Sequence, residues 1–84
     1  YSLAITRTRS HITMEDLDIV NSLKLARVAQ GWSQAELADR VGVTRQTIGL
    51  IEAGRYNPTL KLCLALARAT DRTLNDLFWI EGDR

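Results

Sequence analysis

Apolar residues recur at helical spacing through the middle and C-terminal parts of the chain, and most runs are bounded by residues that start or stop helices. Val20, Leu23, Ala26, Val28 and Ala29 form the first stripe. They predict a helix from near Asp18 or Asn21 to Gln30, with Gly31 as its stop. Ser33-Gln34-Ala35-Glu36 is a capping box: the Ser33 hydroxyl accepts from the Glu36 amide, and the Glu36 carboxylate reaches back to the Ser33 amide. It opens a second helix through Leu37, Ala38 and Val41, which Gly42 ends with a left-handed residue. Thr44 caps a third helix only two residues later, so the turn between the two is about three or four residues long.

That is helix-turn-helix spacing. The third helix covers residues 44–53, turns Ile48 and Ile51 inward with Thr47 or Val43 completing the buried edge, and stops at Gly54. Its opposite face carries Arg45, Gln46, Gly49 and Leu50. A glycine inside a helix costs about 0.5–1 kcal/mol relative to alanine, so Gly49 needs a reason, and close approach of a nucleic-acid backbone or base edge is one. Arg offers a bidentate fork to guanine and Gln to adenine, each good pair contributing roughly 1–3 kcal/mol of discrimination. On an arbitrary helix the same two residues would simply be solvated; the preceding turn is what favours the reader.

The loop Arg55-Tyr56-Asn57-Pro58 lets a fourth helix start at Thr59 and run to about Thr70, with Leu62, Cys63, Leu66 and Ala69 or Thr70 at core spacing. Thr73-Leu74-Asn75-Asp76 caps a last helix, with Leu74, Leu77 and Phe78 facing inward. Trp79 and Ile80 are left over, and Leu77, Phe78, Trp79 and Ile80, with the end of the fourth helix, form the expected self-association surface. Trp32 is expected to pack against the first helix. The predicted fold is all-α: a compact five-helix bundle containing a helix-turn-helix, with a short N-terminal strand or arm. Residues 1–18 are the arm, 19–80 the domain and 81–84 a tail. Tyr1 to Thr13 alternates loosely and is either an added remnant, with Met14 near the native start, or a genuine extension. A genuine extension pairs as a strand across a dimer axis, or brings Arg7 and Arg9 to a phosphate or a narrow minor groove.

Composition narrows the function. Eighty-four residues make one domain, too small to bury a catalytic cleft and its supporting shell comfortably. With 45% apolar and 25% charged residues, neither disorder nor a membrane span is indicated, and the apolar run from Leu62 to Ala67 is far too short to cross a bilayer. The net charge of +1 hides an uneven placement. Between Ile19 and Pro58 the bases Lys24, Arg27, Arg40, Arg45 and Arg55 outnumber the acids Glu36, Asp39 and Glu52. From Asp71 onward acids prevail, so the middle of the chain is the part suited to phosphate. A lone Cys63 and the lack of a secretory signal suggest a reducing, cytoplasmic setting, and Cys63 is read as a small core residue. One histidine makes a zinc site improbable, no catalytic spacing is present, and neither enzyme activity nor a cofactor is expected.

Taken together, Gly31 to Ala38, Val41 to Ile48, Ile51 to Pro58 and Leu74 to Phe78 resemble the phage-repressor, or xenobiotic-response-element, family of helix-turn-helix transcriptional regulators. With the first helix included, the resemblance spans roughly residues 21–78. It implies a five-helix domain that binds double-stranded DNA as a homodimer at a pseudo-palindromic operator. By position it implies that Thr44, Arg45, Gln46 and Leu50 face base edges and that Gln34, Arg55 and Asn57 contact phosphate; Ser33, Thr47 and Tyr56, which flank the third helix or lie on it, are read as further phosphate contacts. Gln34 would also brace the recognition helix, while Tyr56 either donates to phosphate or packs under its loop. Arg27 and Glu52 match a structural ion pair between the first and third helices. Two departures stand out: Leu50 sits where some relatives carry a polar reader, suiting it to a thymine methyl or to no contact, and Asp71 replaces the usual glycine after the fourth helix. One recognition helix covers too few base pairs to single out a genomic site, which independently argues for two copies. No membrane or small-molecule partner is expected. The alternative is an antitoxin-like module that sequesters a partner protein through its apolar C-terminal end.

Overall fold

Side-chain caps decide where the helices begin. In the computed structural model, which describes residues 13–83, a 3₁₀ turn at Met14–Asp16 leads into β1 (Ile19–Asn21) and α1 (Leu23–Ala29). There follow α2 (Gln34–Val41), α3 (Arg45–Glu52), α4 (Leu60–Thr70), α5 (Leu74–Leu77) and β2 (Phe78–Ile80). Ser33, Thr44, Thr59 and Thr73 each accept the backbone N–H three residues on, and Glu36 and Asp76 close capping boxes onto Ser33 and Thr73. Left-handed residues end α2 and α4. Gly42 stands at φ 80° in the turn between α2 and α3, and Asp71 at φ 58° after α4, where the Arg72 N–H reaches the Ala67 carbonyl at 2.9 Å.

Nine residues form the buried core: Leu23 and Ala26 of α1, Leu37 and Ala38 of α2, Ile48 and Ile51 of α3, Leu66 and Ala67 of α4, and Leu77 of α5. Every helix contributes, and α2 packs most extensively on α3, which fixes the two helices of the motif against each other. Trp32, Val41, Val43, Leu62 and Phe78 pack around this centre. The Arg40 guanidinium lies 4.1 Å above the Trp32 ring and covers its outer face.

The beginning of the domain departs from the helical reading. Ile19, Val20 and Asn21 form a strand paired antiparallel with Ile80, Trp79 and Phe78. The Ser22 N–H continues the pairing to the Leu77 carbonyl at 2.9 Å, and the Glu81 N–H to the Asp18 carbonyl at 2.8 Å. β-Branched Ile19 and Val20 opposite Trp79 and Ile80 suit a pleated, half-buried ribbon, and that pairing overrides the helical spacing of Val20 and Leu23. The first helix therefore starts at Leu23 and buries Leu23, Ala26 and Arg27, while Val28 and Ala29 face solvent. The strand or arm expected within Tyr1 to Thr13 lies, except for Thr13 itself, outside the described residues.

A second correction concerns the self-association surface. Leu77 is fully buried and Phe78 packs on the core, so Leu77 holds the monomer together and is not a residue for a second copy to meet. Trp79 and Ile80, half-buried, belong to β2. The large apolar side chains that do stand exposed nearby are Leu60 and Leu64 of α4 and Ile19 of β1.

Candidate nucleic-acid interface

The centre of the site is α3, whose sequence Arg-Gln-Thr-Ile-Gly-Leu-Ile-Glu separates cleanly into two faces. Ile48 and Ile51 go to the core, and Glu52 also turns inward, its side chain 6% exposed. Arg45, Gln46, Gly49 and Leu50 line a shallow open concavity on the outer face. Because the only acid of the helix is withdrawn, that outer face carries a cation, an amide and an apolar tip without a carboxylate to repel phosphate. Thr44, the N-cap, is exposed, and its hydroxyl lies 3.0 Å from that of Thr47.

Glu52 is held by Arg27 of α1. Arg27 Nε donates to Glu52 Oε2 at 2.7 Å and Arg27 Nη2 to Oε1 at 3.1 Å, a bidentate pair, while Nη1 donates to the Trp32 carbonyl at 2.9 Å. The buried guanidinium thus has a partner on every nitrogen, and hydrogen bonding to the carboxylate raises its already high pKa further. Such a pair is most informative as a geometric lock, since removing one partner strands the other at about 3–5 kcal/mol.

Gln34, the first residue of α2, lies along α3 from end to end. Its Oε1 accepts from Arg45 Nη1 at 2.8 Å and its Nε2 donates to Glu52 Oε1 at 3.1 Å. A side-chain carbon added at Gly49 would meet the same amide at 3.7 and 3.8 Å, which is ordinary contact. The internal packing of the domain therefore tolerates a methyl there. Ser33 is engaged in its capping box, where Glu36 Oε1 accepts from the Ser33 N–H at 2.7 Å. This backbone hydrogen bond, followed by the hydroxyl, holds the Glu36 carboxyl below its ordinary value of 4.5.

Arg55, Tyr56 and Asn57 leave the C-terminal end of α3 on a loop anchored by the Arg55 N–H to the Leu50 carbonyl at 2.8 Å, and all three are exposed. Tyr56 is 42% exposed. The structure thus brings Gln34, Arg45 and Glu52 into contact and places Gln46, Gly49 and Leu50 beside them. Among the described residues no hydrogen bond or ion pair joins this group to Tyr56 or Asn57.

Sequence reasoning placed Asn21 near a helix start but missed its tie to α3. Its Nδ2 donates to the Ile51 carbonyl at 2.9 Å, and its Oδ1 accepts from the Leu23 N–H at 3.1 Å. One amide thereby satisfies an end carbonyl of α3 and an opening N–H of α1. The available signal was an Asn two residues before an apolar stripe, which identifies the cap but not its second partner thirty residues away. Among the described residues no cluster of three or more His, Cys, Asp or Glu side chains can hold a metal ion, and no helix is long and apolar enough to cross a membrane.

Comparison with known proteins agrees with this geometry. A helix-turn-helix family profile matches residues 23–77, from the start of α1 to the end of α5. An uncharacterized HTH-type transcriptional regulator, YgzD of Bacillus subtilis, is 44% identical over 63 residues, covering 75% of this chain and 96% of that protein. Among solved structures, the restriction-modification controller protein C.AhdI of Aeromonas hydrophila superposes with a TM-score of 0.61 at 37% identity, covering 64% of this chain and 78% of its own. The antitoxin HipB of Escherichia coli is similar over a shorter stretch, 40% identical over 42 residues and about half of each chain.

Proposed function

The chain belongs to the helix-turn-helix family of DNA-binding regulators, which are not enzymes, and from that premise we propose that it reads a pseudo-palindromic operator as a homodimer, with α3 in the major groove. The observation that carries this reading is the outer face of α3: Arg45, Gln46 and Leu50 stand together around a concavity from which Glu52 has been removed. Arg45 forks to guanine, Gln46 to adenine, Leu50 meets a thymine methyl, and Thr44 approaches the same edges from the N-cap. Ser33, Gln34, Thr47, Arg55, Tyr56 and Asn57 contact phosphate on either side, fixing register without reading sequence.

Two copies then present their α3 helices about 34–36 Å apart, one turn of the duplex. With Leu77 committed to the core, the surface for the second copy is the exposed Leu60 and Leu64 of α4 with Ile19, Trp79 and Ile80 of the ribbon. Selecting bound duplexes from a random pool tests the reading. A recovered inverted repeat whose binding weakens steeply with salt is the expected result, and recovery of no preferred sequence refutes it. Leu64→Glu is expected to leave the fold intact, dissociate the dimer in sedimentation and abolish binding to the full repeat. A monomeric wild-type chain that binds a single half-site tightly refutes the dimer.

The apolar surface at Leu60 and Leu64, with the partial similarity to HipB, favours one second reading, in which that surface sequesters a partner protein. It predicts no sequence preference in the same selection.

A further inference from the structure

Glu52 does more than neutralise Arg27. Its Oε1 also accepts from Gln34 Nε2 at 3.1 Å, and Gln34 Oε1 in turn accepts from Arg45 Nη1 at 2.8 Å. Arg27, Glu52, Gln34 and Arg45, in that order, form one relay from the interior to the outer face of α3. Each joint constrains the next. A carboxylate only accepts and a guanidinium only donates, so an amide between them has a single orientation that satisfies both. Turned over, it would set an acceptor against the Glu52 carboxylate and a donor against the Arg45 guanidinium.

The geometry points to Glu52 as a specificity-determining positioning residue: by fixing the Gln34 amide it holds the Arg45 guanidinium in place before any base is met. The inference rests on the outer face of α3 being a DNA reader and adds what sets the aim of that reader. Arg45 spends one N–H on Gln34 and keeps its other donors for the concavity it lines. Ordering one long side chain in advance is worth roughly two- to tenfold in affinity. The base read by Arg45 benefits beyond what the Gln34 phosphate contact gives to every duplex, so the gain appears as sequence preference measured against random DNA.

Two double variants isolate the joint. Arg27→Met with Glu52→Gln and Arg27→Met with Glu52→Met both remove the ion pair, but only the first keeps a carbonyl acceptor for Gln34 Nε2. The probes are the best duplex recovered by the wild-type chain from a random pool, its single-base-pair variants, and a random duplex of equal length. The variant Arg45→Ala marks the base pair concerned. At that pair the Gln-bearing double variant keeps the wild-type preference, measured as the ratio to the random duplex, and the Met-bearing one loses about two- to tenfold of it. Equal preference in the two overturns the relay.

Nuclear Overhauser contacts in the free wild-type chain provide a test that needs no variant to fold. The Gln34 amide hydrogens must lie toward the Glu52 end of α3, and finding them beside the Arg45 guanidinium overturns the proposal. A wild-type chain that recovers no preferred duplex overturns the DNA-reading function itself, and the specificity role with it. A wild-type chain that selects a duplex, with equal double variants, overturns the relay alone.

Discussion

Gly49→Ala separates what the fold needs from what the ligand needs. Gly49 lies inside α3 at a helical φ, so no left-handed conformation calls for glycine there. The added methyl would stand 3.7 Å from Gln34 Oε1 and 3.8 Å from Nε2, in ordinary contact and without overlap. Helix propensity then dominates, and the variant gains about 0.5–1 kcal/mol. In a domain of this size that is a rise of roughly 2–8 °C in melting temperature. The same methyl projects beside the concavity formed by Arg45, Gln46 and Leu50. If a base edge or sugar seats against the bare backbone, forcing in one carbon costs about 1–3 kcal/mol, or roughly five- to 150-fold in Kd. Thermal melting by circular dichroism and titration of the selected duplex by fluorescence anisotropy give the two numbers. A variant that melts lower refutes the spacing argument. One that melts higher and binds the duplex unchanged refutes close approach at Gly49.

The other predictions follow from the same geometry. Gln46→Ala is expected to flatten preference at one base pair with little effect on random DNA, whereas Arg55→Ala weakens binding to all duplexes and lowers the salt slope by about one; equal losses on specific and random DNA would contradict that division. Arg27→Ala leaves the Glu52 carboxylate buried without its cation, and chemical denaturation is expected to show a loss of about 3–5 kcal/mol. Asn21→Ala removes hydrogen bonds to both α1 and α3 and is expected to cost about 1–3 kcal/mol, with faster amide exchange at Leu23. The Glu36 carboxyl, held below 4.5 by the Ser33 N–H, contributes stability that is complete above that value and is lost as pH falls through the lower folded value; Glu36→Ala should therefore flatten part of the acid limb of melting temperature against pH.

Where local chemistry decides structure, the chain could be read directly. Ser33 with Glu36, Gly42, Thr44, Thr59 and Thr73 act on neighbours within four residues, and the helix starts and the turn of the motif lie where those residues place them. Asp71 likewise adopts the left-handed conformation its short side chain tolerates. The ribbon was not legible, because a three-residue strand has no period long enough to recognise and its partner lies at the far end of the domain. Helical spacing consequently drew Val20 into the first helix and left Trp79 and Ile80 without a place. At the site, the face shared by Arg45, Gln46 and Leu50 follows from spacing alone. That Gln34 reaches both ends of α3, and that Asn21 ties α3 to α1, depends on how the helices cross, which residue types do not state.

The pairing of Ile19 with Ile80 also carries a consequence for synthesis. The helices can dock through contacts made soon after each emerges, but the first strand has no partner until the last residues of the domain have left the ribosome. Until then the Asn21 anchor on α3 lacks the strand that frames it. A chain truncated after residue 77 would keep all nine core residues yet leave Asn21, and with it the tie to α3, on an unpaired strand.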